Sequence, residues 1–88
     1  MYKATTTIKN KTGLHARPAS DFVRKARGFS SDITIGKVGE EAVDAKSIVY
    51  LLSLGLGQGT EIEISAEGAD EQLAVDTLIA TIDEGFGE

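Results

Sequence analysis

The feature that most constrains this chain's fold is the hydrophobic period, which switches repeatedly along its 88 residues. Tyr2, Ala4, Thr6 and Ile8 alternate with Lys3, Thr5 and Thr7, which predicts a half-buried strand rich in β-branched residues. Asn10 to Gly13 reads as a loop. From Arg17 to Arg27 the period lengthens: Ala19, Phe22, Val23 and Ala26 fall at i, i+3, i+4 and i+7, one face of a helix. Pro18 suits its first turn and Gly28 its C′ stop. Ile33 and Ile35 alternate in a second strand, Ala42 to Asp44 make a short third one, and Gly36 to Glu40 is the hairpin turn between them. Ser47 to Leu54 has helical spacing at Ile48, Leu51 and Leu52, with a glycine-rich exit from Gly55 to Gly59. Thr60 to Glu67 alternates Ile62, Ile64 and Ala66 against Glu61, Glu63 and Glu67, so one face of this strand is wet and acidic. Asp70 and Glu71 open a last helix, with Leu73, Ala74, Leu78 and Ile82 as its buried stripe and Gly85 as its end. The order β-α-β-β-α-β-α predicts an α+β two-layer sandwich: a four-stranded, mainly antiparallel sheet with helices on one side.

Length and composition narrow the possible functions. Residues 1–88 suffice for one domain and leave no room for a separate catalytic or regulatory one. Cysteine is absent, which removes disulfide scaffolds, thiol catalysis and Cys-ligated metals, and a reducing cytoplasm is the natural setting. No apolar run approaches a spanning helix, and the N-terminus alternates rather than reading as a signal peptide, so neither membrane insertion nor export is expected. The net charge of −5 conceals a division. Positions 1–30 hold seven cations against Asp21 alone, whereas positions 31–88 hold 13 acids against Lys37 and Lys46. A basic face on an acidic body recruits anionic partners. Nucleic acid is disfavoured as that partner by the overall acidity and by the five aromatic residues.

Gly13-Leu14-His15-Ala16-Arg17-Pro18-Ala19 contains the only His and the only Pro, placed where a loop becomes a helix. A helix N-terminus carries about half a positive charge, and Asp, Glu, Ser or Thr normally sit there. Here it receives His15 and Arg17, an unfavourable order unless an anion binds. The backbone amides of Ala16 and Arg17, with the Arg17 guanidinium, then describe a phosphate cradle. Neutral imidazole is also a good nucleophile, and a positive helix end disfavours its cationic form, so His15 can carry the phosphoryl group covalently. A metal site is not expected, because a single His without a second His or Cys makes no adequate ligand set.

Ser47 reads first as a helix N-cap and second as a modification site, where a phosphate would add close to two negative charges. Ile48, Val49, Tyr50, Leu51 and Leu52 cannot all face the core of one short helix, so some form an exposed patch beside the basic helix that carries Arg24 and Lys25. Gly55-Leu56-Gly57-Gln58-Gly59 lies between a helix and a strand, the reverse of the order a dinucleotide loop needs, and reads as capping and turn geometry. The hydroxyl residues have no nearby base, so no hydrolase triad can be assembled.

GLHARPAS around His15, AKSIVYLLSLG around Ser47, and GTEIEISAEGADE with the GFGE ending resemble the HPr family, the histidine-containing phosphocarriers of the bacterial phosphoenolpyruvate-dependent sugar phosphotransferase system. The resemblance covers essentially the whole chain. It implies an open-faced β-sandwich with strand order 1-4-2-3 and three helices on one face. It also implies a carrier, not an enzyme with its own turnover and without a cofactor: His15 accepts a phosphoryl group on Nδ1 from the phosphoenolpyruvate-using first enzyme, Arg17 stabilises it, and sugar-specific acceptor domains receive it. Ser47 matches the serine that a dedicated kinase phosphorylates in some members, with a phosphorylase as the reverse partner. Docking is expected at Arg24, Lys25, Ile48, Val49 and Leu52, and a monomer is expected from the size. Val49, Tyr50 and Leu52 stand where many members with the regulatory serine carry methionines and a small residue. The segment from Gly28 to Ser47 is one residue longer than in those members, which together with the GF ending leans toward the nitrogen-related paralogue, a regulatory binding module read by its phosphorylation state.

Overall fold

The computed structural model describes residues 1–87; Glu88, the last residue of the GFGE ending, lies outside the described residues. The chain forms β1 (Tyr2–Thr7), α1 (Ala16–Arg27), β2 (Asp32–Lys37), β3 (Val43–Asp44), α2 (Ile48–Ser53), β4 (Glu61–Glu67) and α3 (Glu71–Asp83), followed by a turn at Gly85–Gly87. This is the element order that the periodicity predicts. The strands lie in the order β1-β4-β2-β3. All three pairings are antiparallel, with Ala4 opposite Ile64, Ile35 opposite Ile64 on the other side, and Ile35 opposite Val43.

The alternation decides which face is covered. Ile33, Ile35, Ile62, Ile64 and Ala66 point to one side and are buried against Ala19, Phe22, Val23 and Ala26 of α1, Leu51 of α2, and Ala74, Val75, Leu78 and Ile82 of α3. The opposite side of the sheet carries Lys3, Thr5, Glu61, Glu63, Asp32 and Thr34 and has no helix over it, which is the open-faced arrangement. Ile8 and Leu14 extend the core beneath the β1–α1 loop, and this burial anchors the segment that carries His15.

Three local expectations need correction. Leu73 is 62% exposed rather than buried, because the inward stripe of α3 runs through Ala74, Val75, Leu78, Thr81 and Ile82 and Leu73 lies about 100° round the helix from Ala74. Gly28 is not a left-handed C′ residue: at φ −76° it remains right-handed, and its N–H bonds back to the carbonyls of α1. The third strand is Val43–Asp44, one residue shorter than Ala42 to Asp44. Gly85, at φ +67°, does take the left-handed position after α3.

Candidate functional site

The loop before α1 is held from two sides. The Asn10 carbonyl accepts from the Gly13 N–H at 3.2 Å, and the Asn10 side-chain amide donates back to the Gly13 carbonyl at 2.8 Å and to the Thr12 hydroxyl at 3.1 Å. On the far side the Leu14 N–H donates to the Leu56 carbonyl at 2.8 Å. Gly13 is required here: its φ is +70°, and a Cβ on it would lie 2.4 Å from the Leu56 oxygen. Thus the glycine-rich segment after α2 forms the wall against which the His15 loop packs.

His15 occupies the N-cap of α1 in extended conformation (φ −148°, ψ 171°), yet its side chain caps nothing among the described residues and is exposed. α1 begins at Ala16, one residue earlier than the periodicity indicates, and Ala16 itself has φ +53°. A left-handed L-residue costs roughly 1–2 kcal/mol, a strain that recurs at functional sites and is maintained here by the anchored loop. Arg17 follows, exposed, and Pro18 and Ala19 turn the chain into the core. The first turn holds no acid, so the orphan amides of the helix start face solvent beside an imidazole and a guanidinium. The arrangement can receive a tetrahedral oxyanion, and the His15 imidazole beside it is exposed.

α1 and α2 meet at a depression of about 280 Å³ lined by Ser20, Val23, Arg24, Arg27 and Ile48. Arg24 pairs with Asp21 at 2.9 Å and stays exposed. Val49, Tyr50 and Leu52 are exposed on α2, while Leu51 alone of that helix is fully buried. Ile48 and Arg24 therefore meet at one depression, and Val49 and Leu52 add exposed apolar surface on α2. Lys25 does not join them: its ammonium donates to the Thr81 hydroxyl of α3 at 3.1 Å, on the other flank of α1. Ser47 is half-buried at the α2 N-cap, where its hydroxyl accepts from the Tyr50 N–H at 3.3 Å. The junction beside it is tied by two cations, Arg27 donating to the Lys46 carbonyl at 2.9 Å and Lys46 to the Phe29 carbonyl at 2.8 Å.

The family model described as the PTS HPr component phosphorylation site matches residues 2–84. The chain belongs to the HPr family. The phosphocarrier protein HPr of Haemophilus influenzae is 49% identical over 93% of this chain and 95% of that protein. The HPr-like protein Crh of Halalkalibacterium halodurans is 48% identical over 96% of this chain and 99% of its own length. A crystal structure of HPr from Thermoanaerobacter tengcongensis superposes with TM-score 0.96 at 50% identity, covering all of this chain and 98% of that one. A dimeric HPr crystal structure from the same organism is also similar, with TM-score 0.79. The open-faced α+β sandwich and the strand order implied by the sequence resemblance are thus those of HPr.

Two parts of this HPr site were not singled out from the sequence. The periodicity assigns Asn10 only to a loop, although an Asn three residues before a glycine signals a side-chain-closed turn. The role of Leu56 as a backbone acceptor for the loop has no local signal, because the contact joins residues 42 positions apart.

Proposed function

We propose that this HPr-family chain is a phosphoryl carrier that acts in the cytoplasm and has no turnover of its own. The observation that carries this reading is His15: an exposed imidazole at a helix N-cap, uncommitted to the helix, beside Arg17 and a first turn without acids. The Nδ1 lone pair attacks the phosphorus of a phosphorylated first enzyme, so an N–P bond forms as the donor's bond to that phosphorus breaks. The Ala16 and Arg17 amides and the Arg17 guanidinium hold the phosphoryl oxygens. The reverse exchange delivers the group to a sugar-specific acceptor domain, and because bonds of similar energy are traded, positioning supplies most of the rate.

Partners dock on the α1–α2 surface through Arg24, Ile48, Val49 and Leu52, while Lys25 lies on the other flank of α1. Ser47 is the regulatory residue, addressed by a kinase and a phosphorylase. A second reading, a regulatory module recognised by its phosphorylation state, draws support from the 48% identity to an HPr-like protein Crh. The working unit is a monomer, and sedimentation tests this against a dimer like that of the Thermoanaerobacter protein.

Incubation with phosphoenolpyruvate and an active first enzyme, read by intact mass, tests the carrier role. One acid-labile phosphate per chain, lost in a folded His15→Ala variant, is the expected result. Undiminished phosphorylation of that variant, or none of the wild type by its cognate enzyme, overturns the assignment.

A further inference from the structure

We infer that Asn10 is a positioning residue for the His15 reaction, acting through the backbone of Gly13. The inference rests on the carrier reading above and adds a residue to it. Asn10 is only 5% exposed, whereas Lys9 and Lys11 on either side of it are exposed. It is one of three buried polar or charged residues among those described, and it lies at the base of the loop that presents the nucleophile. The C-terminal turn covers it: a methyl placed on Gly85 would sit 3.9 Å from the Asn10 Cβ. Burying an amide is costly unless its hydrogen bonds are made, and the Asn10 Nδ2 group directs its donors to the loop.

The geometry gives the amide a specific task. The reciprocal pair between residues 10 and 13 closes a three-bond clamp, with the Asn10 carbonyl holding the Gly13 N–H and the side chain holding the Gly13 carbonyl and the Thr12 hydroxyl. The Gly13 peptide is therefore fixed at both its polar groups. The next N–H, that of Leu14, is fixed to Leu56, and Leu14 itself is buried. His15 is the first exposed side chain after this run, and Ala16 keeps its left-handed φ of +53° only while the chain entering it has no freedom to relax. Removing the Asn10 donor releases the Gly13 carbonyl. The imidazole then samples several directions relative to the α1 amides and Arg17, and displacements of about 1 Å cost roughly 10²-fold in a reaction governed by alignment.

The test compares Asn10→Ala and Asn10→Asp, the latter keeping size and acceptor oxygens while losing the donor, with Val75→Ala, a core variant in α3 that serves as a control for lost stability. All are assayed at a temperature where each is folded by circular dichroism. Phosphorylation by the first enzyme is expected to fall about 10- to 100-fold in both Asn10 variants, mainly in kcat rather than KM. It is expected to be unchanged in Val75→Ala, and the His15 ring signals in ¹⁵N NMR should shift in the Asn10 variants alone. Wild-type rates in the Asn10 variants, or an equal fall in Val75→Ala, overturns the positioning role while leaving the carrier reading intact. A wild-type protein that takes no phosphate overturns the carrier reading, and the positioning role falls with it.

Discussion

The starts of α1 and α3 solve the same electrostatic problem in opposite ways. α3 opens with Asp70 and Glu71. The Asp70 carboxylate accepts from the Ser30 N–H at 2.9 Å, the Ser31 N–H at 3.0 Å and the Ser31 hydroxyl, which ties the end of the α1–β2 connection to the β4–α3 junction. Glu71 accepts from the Gly68 N–H at 3.2 Å and lies 3.2 Å from the N-terminal ammonium of Met1. That helix start therefore carries its own negative charge beside the positive end of the helix. α1 has His15 at its N-cap, Arg17 two positions later and no acid in its first turn, which leaves its positive end without a negative partner of its own and is the ground for the proposed anion site. The contrast shows that a helix start without an acid can be a functional signal when the same molecule places two acids at the start of another long helix.

The sharpest way to break this contrast is to give α1 its own anion. Arg17→Glu puts a carboxylate at the second helical position and removes the guanidinium together. Phosphorylation by the first enzyme is expected to fall at least about 100-fold, the scale of losing one stabilising donor at a developing oxyanion. Stability should rise by about 0.3–1 kcal/mol as the helix dipole gains a partner. Initial rates and urea unfolding read the two effects separately. A variant that is both slower and less stable would show that Arg17 supports the fold and that the deficit at α1 is not an anion site.

The complementary experiment removes the charge from α3. Asp70 titrates at about 2, below its ordinary 3.8, chiefly because the Ser31 hydroxyl and the Ser30 N–H bond to the ionised form. A depressed carboxylate contributes stability that is present above its unfolded value, near pH 4, and is lost as pH falls toward 2. Glu71 is lowered in the same direction by the Gly68 N–H and the chain's amino terminus. Asp70→Asn is therefore expected to be less stable than wild type at pH 7 and to show a shallower loss between pH 4 and pH 2. Urea midpoints across that range check both signs, and parallel acid limbs would mean that the Asp70 bonds are as strong to the protonated group.

Much of this arrangement was legible in the sequence because it rests on local or periodic signals. The alternation in β4 and the 3.6-residue period of α1 placed Ile62, Ile64, Phe22 and Val23 in the core, and the sheet and its helices follow from those positions. His15 and Arg17 stood out because their charge is wrong for a helix start, a property that needs no tertiary information. What escaped was set by partners distant in sequence. Leu73 looked apolar enough for the stripe, but Val75 and Thr81 define the face that meets the sheet. Lys25 looked like a docking cation beside Arg24, yet one step round the helix takes its ammonium to Thr81 of α3. The partners of Asp70 lie 39 and 40 residues away, so its role as a latch was invisible where its role as a helix opener was not.

α2 stands between the two extremes and gives the smallest predicted effect. Its cap is the neutral Ser47 hydroxyl accepting from Tyr50, with no charge of either sign in its first turn. Losing a serine cap typically costs about 1 kcal/mol, and a six-residue helix anchored by Leu51 should sit at the lower end, about 0.5 kcal/mol for Ser47→Ala. Ser47→Asp keeps an acceptor at the cap and adds a negative charge favourable to the helix start, so it should unfold at or above the wild-type midpoint. The added charge nonetheless sits beside the depression where Arg24, Arg27 and Ile48 would meet a partner. If Ser47 is a switch acting through docking, Ser47→Asp raises the KM of the first enzyme for this carrier while stability holds, and Ser47→Ala loses stability while KM holds. Equal KM values in the two variants would reduce Ser47 to its cap.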